Sequence, residues 1–259
     1  MAKRVSHNKT GVLFGRLMKH IWRSPDTIIT VALIPIAMML LFVFVFGGAL
    51  RGAIPPGTNY ATYLLPGILL MAVASGISYT AFRMWQDTQG GIFARFNAMP
   101  ISRSSALWGH VLASLVSNLI TIVLIFLVGL AVGFRSGAGV LAWLGVAGLL
   151  VLFTLALTWI AVIPGITATS MEGASAFAYP LIFLPFISSA FVPTSTMPVV
   201  VRQFAQYQPV TPIVNSIRAL LAGQPVGNNL WIALVWCIGI VVVAYVLAVR
   251  AYNRRALGR

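Results

Sequence analysis

The chain is poor in acid. Its 259 residues include only three acids, Asp26, Asp87 and Glu172, against 17 Lys and Arg, for a net charge of +14. The three stand far apart, so no pair of carboxylates on one helix is available for acid–base chemistry. Histidine is as scarce: His7 and His20 precede the first apolar run, and His110 opens the third. No cluster of His, Cys or acid has metal-ligand spacing. The single cysteine, Cys237, excludes an internal disulfide and reads as a small core residue. No P-loop is present, so the chain does not bind ATP through that motif. These absences argue against an intramembrane enzyme. They also weigh against a secondary transporter or channel, the alternative reading: transporters usually place ionisable residues inside the membrane, and no ion-filter or water-channel signature is visible.

What is abundant is apolar length. Hydrophobic residues make up 59% of the chain and charged residues 8%, with a mean hydropathy of +0.96. A run of about 20 apolar residues crosses a bilayer as a helix. Six such runs are expected to span, at residues 27–50, 61–82, 107–134, 140–163, 174–192 and 230–250. No soluble core needs so many unbroken runs. The expected fold class is therefore an all-α membrane protein with six transmembrane helices. A basic arm (1–26) would precede the membrane domain (27–250) and a short tail (251–259) would follow it. The arm is too long, and the first run too extended, for a cleaved leader, so the first span is expected to be an uncleaved anchor.

Positive charge orients the spans. Lys3, Arg4, Lys9, Arg16, Lys19 and Arg23 precede span one; Arg83, Arg95 and Arg103 follow span two; Arg250, Arg254, Arg255 and Arg259 close the chain. The loops of the other side hold only Arg51, Arg135, Arg202 and Arg218. Cytoplasmic loops carry the excess of Lys and Arg, so both termini are expected in the cytoplasm, in a bacterial plasma (inner) membrane. Anionic lipid headgroups account for the basic flanks, and no nucleic-acid partner is expected.

Three polar segments stand out. Between Lys9 and Arg23, Leu13, Phe14, Leu17, Met18, Ile21 and Trp22 share one helical arc, while Arg16, Lys19, His20 and Arg23 share the opposite one. Such a helix lies in the membrane interface. The segment after span two, RMWQDTQGGIFARFNAMPISRSS, is broken by Gly90 and Gly91 and by Pro100. Its tip, Ile92, Phe93 and Phe96 with Arg95, needs a surface to pack on, either the membrane or a protein. Residues 193–229 form a long, moderately apolar external segment with short helices expected at 199–207 and 213–221. Its Phe204, Val210, Ile213, Ile217 and Leu220 suggest re-entrant helices rather than a free loop. Within the spans, His110 reads as an interfacial histidine, and Asn118 is expected to hydrogen-bond a neighbouring helix.

Four stretches carry a family likeness: YLLPGILLMAVASG in span two, ARFNAMPISRSSALWGHVLA after it, FLPFISSAFVPTSTMP at the end of span five, and QYQPVTPIVNSIRALLAG in the external segment. Over nearly its full length the chain resembles the membrane subunit of an ABC-2 type transporter, in the daunorubicin-resistance-like branch. The resemblance implies a separate cytoplasmic ATPase subunit, in two copies, which would carry ATP and Mg²⁺, this chain holding no cofactor. It implies a second permease copy, as homodimer or heterodimer, and an amphipathic drug, antibiotic, lipid or glycan moved outward. It implies an interfacial helix, here Phe14, Arg16, Leu17, Lys19, Ile21 and Trp22, and two ATPase contacts. The larger falls on Arg83, Gln86, Asp87, Gly90, Gly91, Ile92, Phe93, Arg95 and Phe96, the smaller on Glu172. Asp87 and Glu172 have no acid or histidine near them in sequence and are expected to act structurally or at these contacts. Aromatic and Met side chains suit an amphiphile's apolar part, which makes Phe42, Phe46, Tyr63, Met71, Tyr79, Phe183, Phe186 and Phe191 the candidate translocation path, expected between two copies of the chain.

Overall fold

The computed structural model describes residues 25–55, 57–90 and 103–256. Every regular element among them is helical. Helix α1 (Pro25–Leu40) continues into a π-helical stretch, Leu41–Phe46, and a final turn, α2 (Gly47–Leu50). Then come α3 (Tyr60–Gln89), α4 (Arg103–Val132) and α5 (Val140–Thr167). The chain ends in α10 (Asn229–Ala256) after a set of short helices. Five stretches among the described residues are long and apolar enough to cross a membrane: Ile28–Leu50, Tyr60–Gln89, Leu107–Val132, Val140–Thr167 and Asn229–Arg255. They coincide with the first, second, third, fourth and sixth expected spans.

The expected span at 174–192 is different. It is broken into α6 (Met171–Ala176), α7 (Ala178–Phe183) and a 3₁₀ turn, Leu184–Ile187, and helical structure ends there. Proline explains the breaks. Pro180 has no N–H for the carbonyl of Ala176, and Pro185 has none for that of Leu181. The backbone turns at Phe177, tightens after Leu184, and is extended at Ser188. The apolar helix is thus shorter than a full span. It still travels the length of its neighbour: Ser78 Oγ of α3 donates to the Ser175 carbonyl at 3.2 Å, and the Tyr63 hydroxyl donates to the Ser189 carbonyl at 3.1 Å.

Helix α3 is the centre of the fold. Asn59 caps it, its side chain accepting from the Ala61 N–H at 3.0 Å. It runs past the expected end at Phe82 because nothing after Pro66 interrupts it before Gly90, whose N–H closes on the Gln86 carbonyl at 2.8 Å. Helices α1, α4, α5, α6 and α7 pack around it. Leu64, Leu65, Ile68, Leu69 and Ile77 are wholly buried. Lipid tails are as apolar as these side chains, so close packing rather than exclusion from water holds such helices together. Two glycines set the approach. A Cβ on Gly165 of α5 would lie 2.6 Å from Met84 Cβ, and one on Gly76 would lie 2.1 Å from Asn118 Oδ1 of α4. By contrast α1, α4 and α10 turn rows of apolar side chains outward, among them Leu33, Leu127 and Val235.

The segment before α10 forms α8 (Val199–Tyr207), as expected, and α9 (Val210–Leu221), which starts earlier than expected because Pro212 fits its first turn. Val210, Ile213 and Ile217 are buried and Leu220 half-buried, whereas Phe204 on α8 is exposed. The interfacial-helix residues Phe14, Arg16, Leu17, Lys19, Ile21 and Trp22 lie outside the described residues.

Candidate functional site at the two ends of the central helix

The basic end of α3 carries the described part of the first expected contact, Arg83, Gln86, Asp87 and Gly90; Gly91, Ile92, Phe93, Arg95 and Phe96 lie outside the described residues. Asp87 is bonded into the bundle. Its Oδ2 lies 3.1 Å from Nε2 of His110 on α4. His110, expected at an interface, is buried at 7% exposure. One residue on, Thr88 Oγ1 donates to the Met84 carbonyl at 2.6 Å and reaches the Gly165 carbonyl of α5 at 3.4 Å. Arg83 stands over the Tyr79 ring, 5.0 Å from its centroid. The last turns of α3 are therefore joined to two other spans before the chain leaves the helix. Glu172 sits in the first turn of α6, where Ser170 caps the helix by accepting from the Gly173 N–H at 3.0 Å. Its carboxylate suits the partial positive charge of that end. Through Ser78 and Ser175, both expected contacts hang on α3.

Above Asp87 a polar seam continues between α3 and α4. It lines a cavity of about 30 Å³, room for one or two waters. The Thr80 and Ser114 hydroxyls are hydrogen-bonded at 2.5 Å. Asn118 Nδ2 donates to the Ser114 carbonyl at 2.9 Å, within its own helix. Asn118 Oδ1 is buried without a hydrogen-bond partner among the described residues, pressed against Gly76. The expected bond from Asn118 to a neighbouring helix is thus replaced by a bond along α4.

At the opposite end of α3, Arg218 of α9 is the organising residue. Its guanidinium lies 3.7 Å from the Tyr63 ring centroid, a cation–π contact. Nη2 donates to the Ser189 carbonyl at 2.8 Å and the Tyr63 carbonyl at 3.1 Å, and Nη1 donates to Asn215 Oδ1 at 3.1 Å. The extended backbone after Ile187 is satisfied by side chains rather than by a ladder. Tyr60 donates to the Phe191 carbonyl at 3.3 Å, Tyr63 to that of Ser189, and Gln208 Nε2 to that of Ile187 at 3.0 Å. Non-helical backbone at membrane depth requires such internal partners. In the sequence Arg218 stands only as an external charge. A cation three residues after Asn215, inside an otherwise apolar short helix, was the available signal.

The expected path residues divide. Phe42 and Phe46 both lie in the π-helical stretch, and Phe42 meets Phe46 as well as Phe186 and Phe191 of the broken segment. Ring centroids are 5.5 Å apart for Phe42–Phe46, 4.8 Å for Phe42–Phe191 and 4.5 Å for the stacked pair Phe186–Phe191, with Phe183 at 6.1 Å from Phe186. Phe46 and Phe183 are exposed at the rim of this ladder. Tyr63 is instead buried beneath Arg218, Met71 is buried inside α3's packing, and Tyr79 lines the polar cavity. The structure thus gathers five of the eight and leaves three elsewhere.

Residues 8–222 match the ABC-2 type transporter family. The chain is 28% identical over 252 residues to the daunorubicin resistance ABC transporter permease protein DrrB1 of Streptomyces coeruleorubidus, covering 92% of this chain and 86% of that one. It is 26% identical over 242 residues to the probable doxorubicin resistance ABC transporter permease protein DrrC of Mycobacterium tuberculosis, with the same coverage. With its membrane-length helices arranged around α3, the chain belongs to the ABC-2 type transporter family and resembles its drug-resistance permeases.

Proposed function

We propose that this chain is the membrane subunit of an ATP-driven exporter of amphipathic drugs, antibiotics, lipids or glycans, working with a separate ATPase. The observation that carries the reading is the unbroken helix α3. One end holds Asp87 and Thr88 beside the expected ATPase contact, and the other holds Tyr63 under Arg218 and Ser189. Closure of the ATPase against residues 83–96 and Glu172 would reach the far side through this helix. Both termini face the cytoplasm, residues 193–229 face outward, and the broken 171–187 segment with the following extended backbone completes a sixth crossing. Two permease copies, alike or different, enclose the path between them, with the Phe42–Phe191 ladder on its wall. ATP and Mg²⁺ belong to the ATPase subunit, of which two copies serve the pair, in a bacterial plasma membrane.

The decisive experiment reconstitutes the permease with the ATPase encoded beside it. Export of an amphiphile from proteoliposomes should require ATP hydrolysis. Phe93→Asp, at the apolar tip, should leave the permease inserted and detach the ATPase. Transport driven by a proton gradient without ATP would instead favour a secondary transporter, the second reading, whose support is the pairing of buried His110 with the half-buried Asp87. Unchanged copurification and transport in the Phe93 variant would remove the docking site.

A further inference from the structure

At the basic end, α5 and α10 part to leave a groove of about 490 Å³ that no assigned role uses. One wall is Ile163, Ile166 and Thr167 of α5, and the other is a single face of α10, since Leu247, Arg250, Ala251 and Arg254 recur at helical spacing. The lower part is apolar and the rim is cationic. Arg255 is already committed: it donates to the Ile166 carbonyl, one of the last carbonyls of α5 and without a partner inside its own helix. Arg250 and Arg254 are exposed, with no hydrogen bond or ion pair to a described residue. Four apart on one helix, they repel each other.

The chain cannot readily neutralise them. Of its three acids, Asp87 is engaged by His110, Asp26 lies at the start of α1, and Glu172 forms no ion pair with a described residue. The segments outside the described residues, 1–24, 91–102 and 257–259, contain Lys and Arg but no Asp or Glu. The groove therefore asks for an anion from outside the chain, and its Ile163–Leu247 walls ask for an apolar tail attached to it. We infer that this groove is a binding site for one anionic phospholipid, its phosphodiester between Arg250 and Arg254 and an acyl chain along Ile163 and Leu247. Basic pockets between membrane helices at the boundary select anionic headgroups in this way.

The test uses the full chain purified into nanodiscs of phosphatidylcholine with a minor fraction of phosphatidylglycerol, reading retained lipid by mass spectrometry. Phosphatidylglycerol should be enriched over its share of the disc. The double variant Arg250→Gln/Arg254→Gln, with Arg255 intact, should lower the enrichment by about fivefold per arginine removed. Ala251→Trp, which fills the groove and keeps both charges, should lower it too. Lys3→Gln/Arg4→Gln, a control for bulk charge, should not. Equal losses in the control and the double variant would overturn the site, as would retention unaffected by Ala251→Trp. Displacement of the lipid by excess inorganic phosphate would reduce the site to a simple anion pocket and overturn the lipid assignment. Loss of the ATPase from the double variant with lipid enrichment unchanged would make this face a protein interface instead.

Discussion

Asp87 and His110 are bonded at 3.1 Å, across two helices and some 23 positions of sequence. The pair fixes the last turns of α3 against α4 just before the chain enters its expected ATPase-facing loop. Residues in direct contact couple by about 0.5–3 kcal/mol in either sign. Asp87→Asn and His110→Gln should each lower the thermal stability of the detergent-solubilised protein, and the double variant should lose less than the sum. Strictly additive losses would mean that the pair contributes nothing as a pair. The same variants should also reduce the export obtained per ATP hydrolysed, because the helix end would no longer move with α4.

Gly76 and Asn118 make a second, sharper test of how α3 packs. A Cβ on Gly76 has no room beside Asn118 Oδ1. Gly76→Ala should therefore destabilise by about 1–3 kcal/mol, as overpacking does. Adding Asn118→Ala removes the obstruction and should recover most of that loss. Circular-dichroism melts of the three variants give the comparison, and a Gly76→Ala protein as stable as the parent would show that α3 and α4 do not approach this closely.

Arg218 ties the Tyr63 and Ser189 carbonyls to one guanidinium. Arg218→Gln removes the guanidinium bonds to the Tyr63 and Ser189 carbonyls, the latter keeping the Tyr63 hydroxyl, a cost of about 1.5–3 kcal/mol for each bond to a charged group. Arg218→Lys keeps the charge but not the fork of donors and should recover only part of the loss. Limited proteolysis should cut the variants within 188–198 faster than the parent. Equal cutting rates would separate Arg218 from the order of that segment.

Orientation is tested by single cysteines in a Cys237→Ala background, Cys237 being fully buried. A thiol at Gln206→Cys should react with a membrane-impermeant reagent in intact cells. Thiols at Asn97→Cys and Ala256→Cys should react only after the membrane is opened. External reaction at 97 or 256 would reverse the charge-based assignment.

Much of the helical framework was legible because hydropathy and length act through the bilayer one segment at a time. α8 emerged at its expected bounds for a similar reason, since Pro198 and Pro209 punctuate it locally. The fifth segment did not, because an apolar run hides its own breaks. Pro180 and Pro185 weigh little on a hydropathy scale but remove two successive backbone bonds. The site was harder still. Asp87 looks solitary in sequence because its partner lies on the next helix, and Asn118 turns back on Ser114 because Gly76 opposite it has no side chain to accept a bond. Arg218 acts through carbonyls, which leave no mark in a residue pattern. Chemical type groups the five phenylalanines that meet in one ladder with Tyr63 and Met71, which pack elsewhere, because type does not say which side of a helix faces its neighbours.

The length of α3 has a mechanical corollary. From Asp87 to Tyr63 is about 36 Å of helix at 1.5 Å per residue. With that end held near Thr88 by two other spans, a tilt of about 5° sweeps the far end through about 3 Å. That displacement is as large as the bonds joining Tyr63 and Arg218 to Ser189, so a small angular input at one membrane face is enough to unfasten the other.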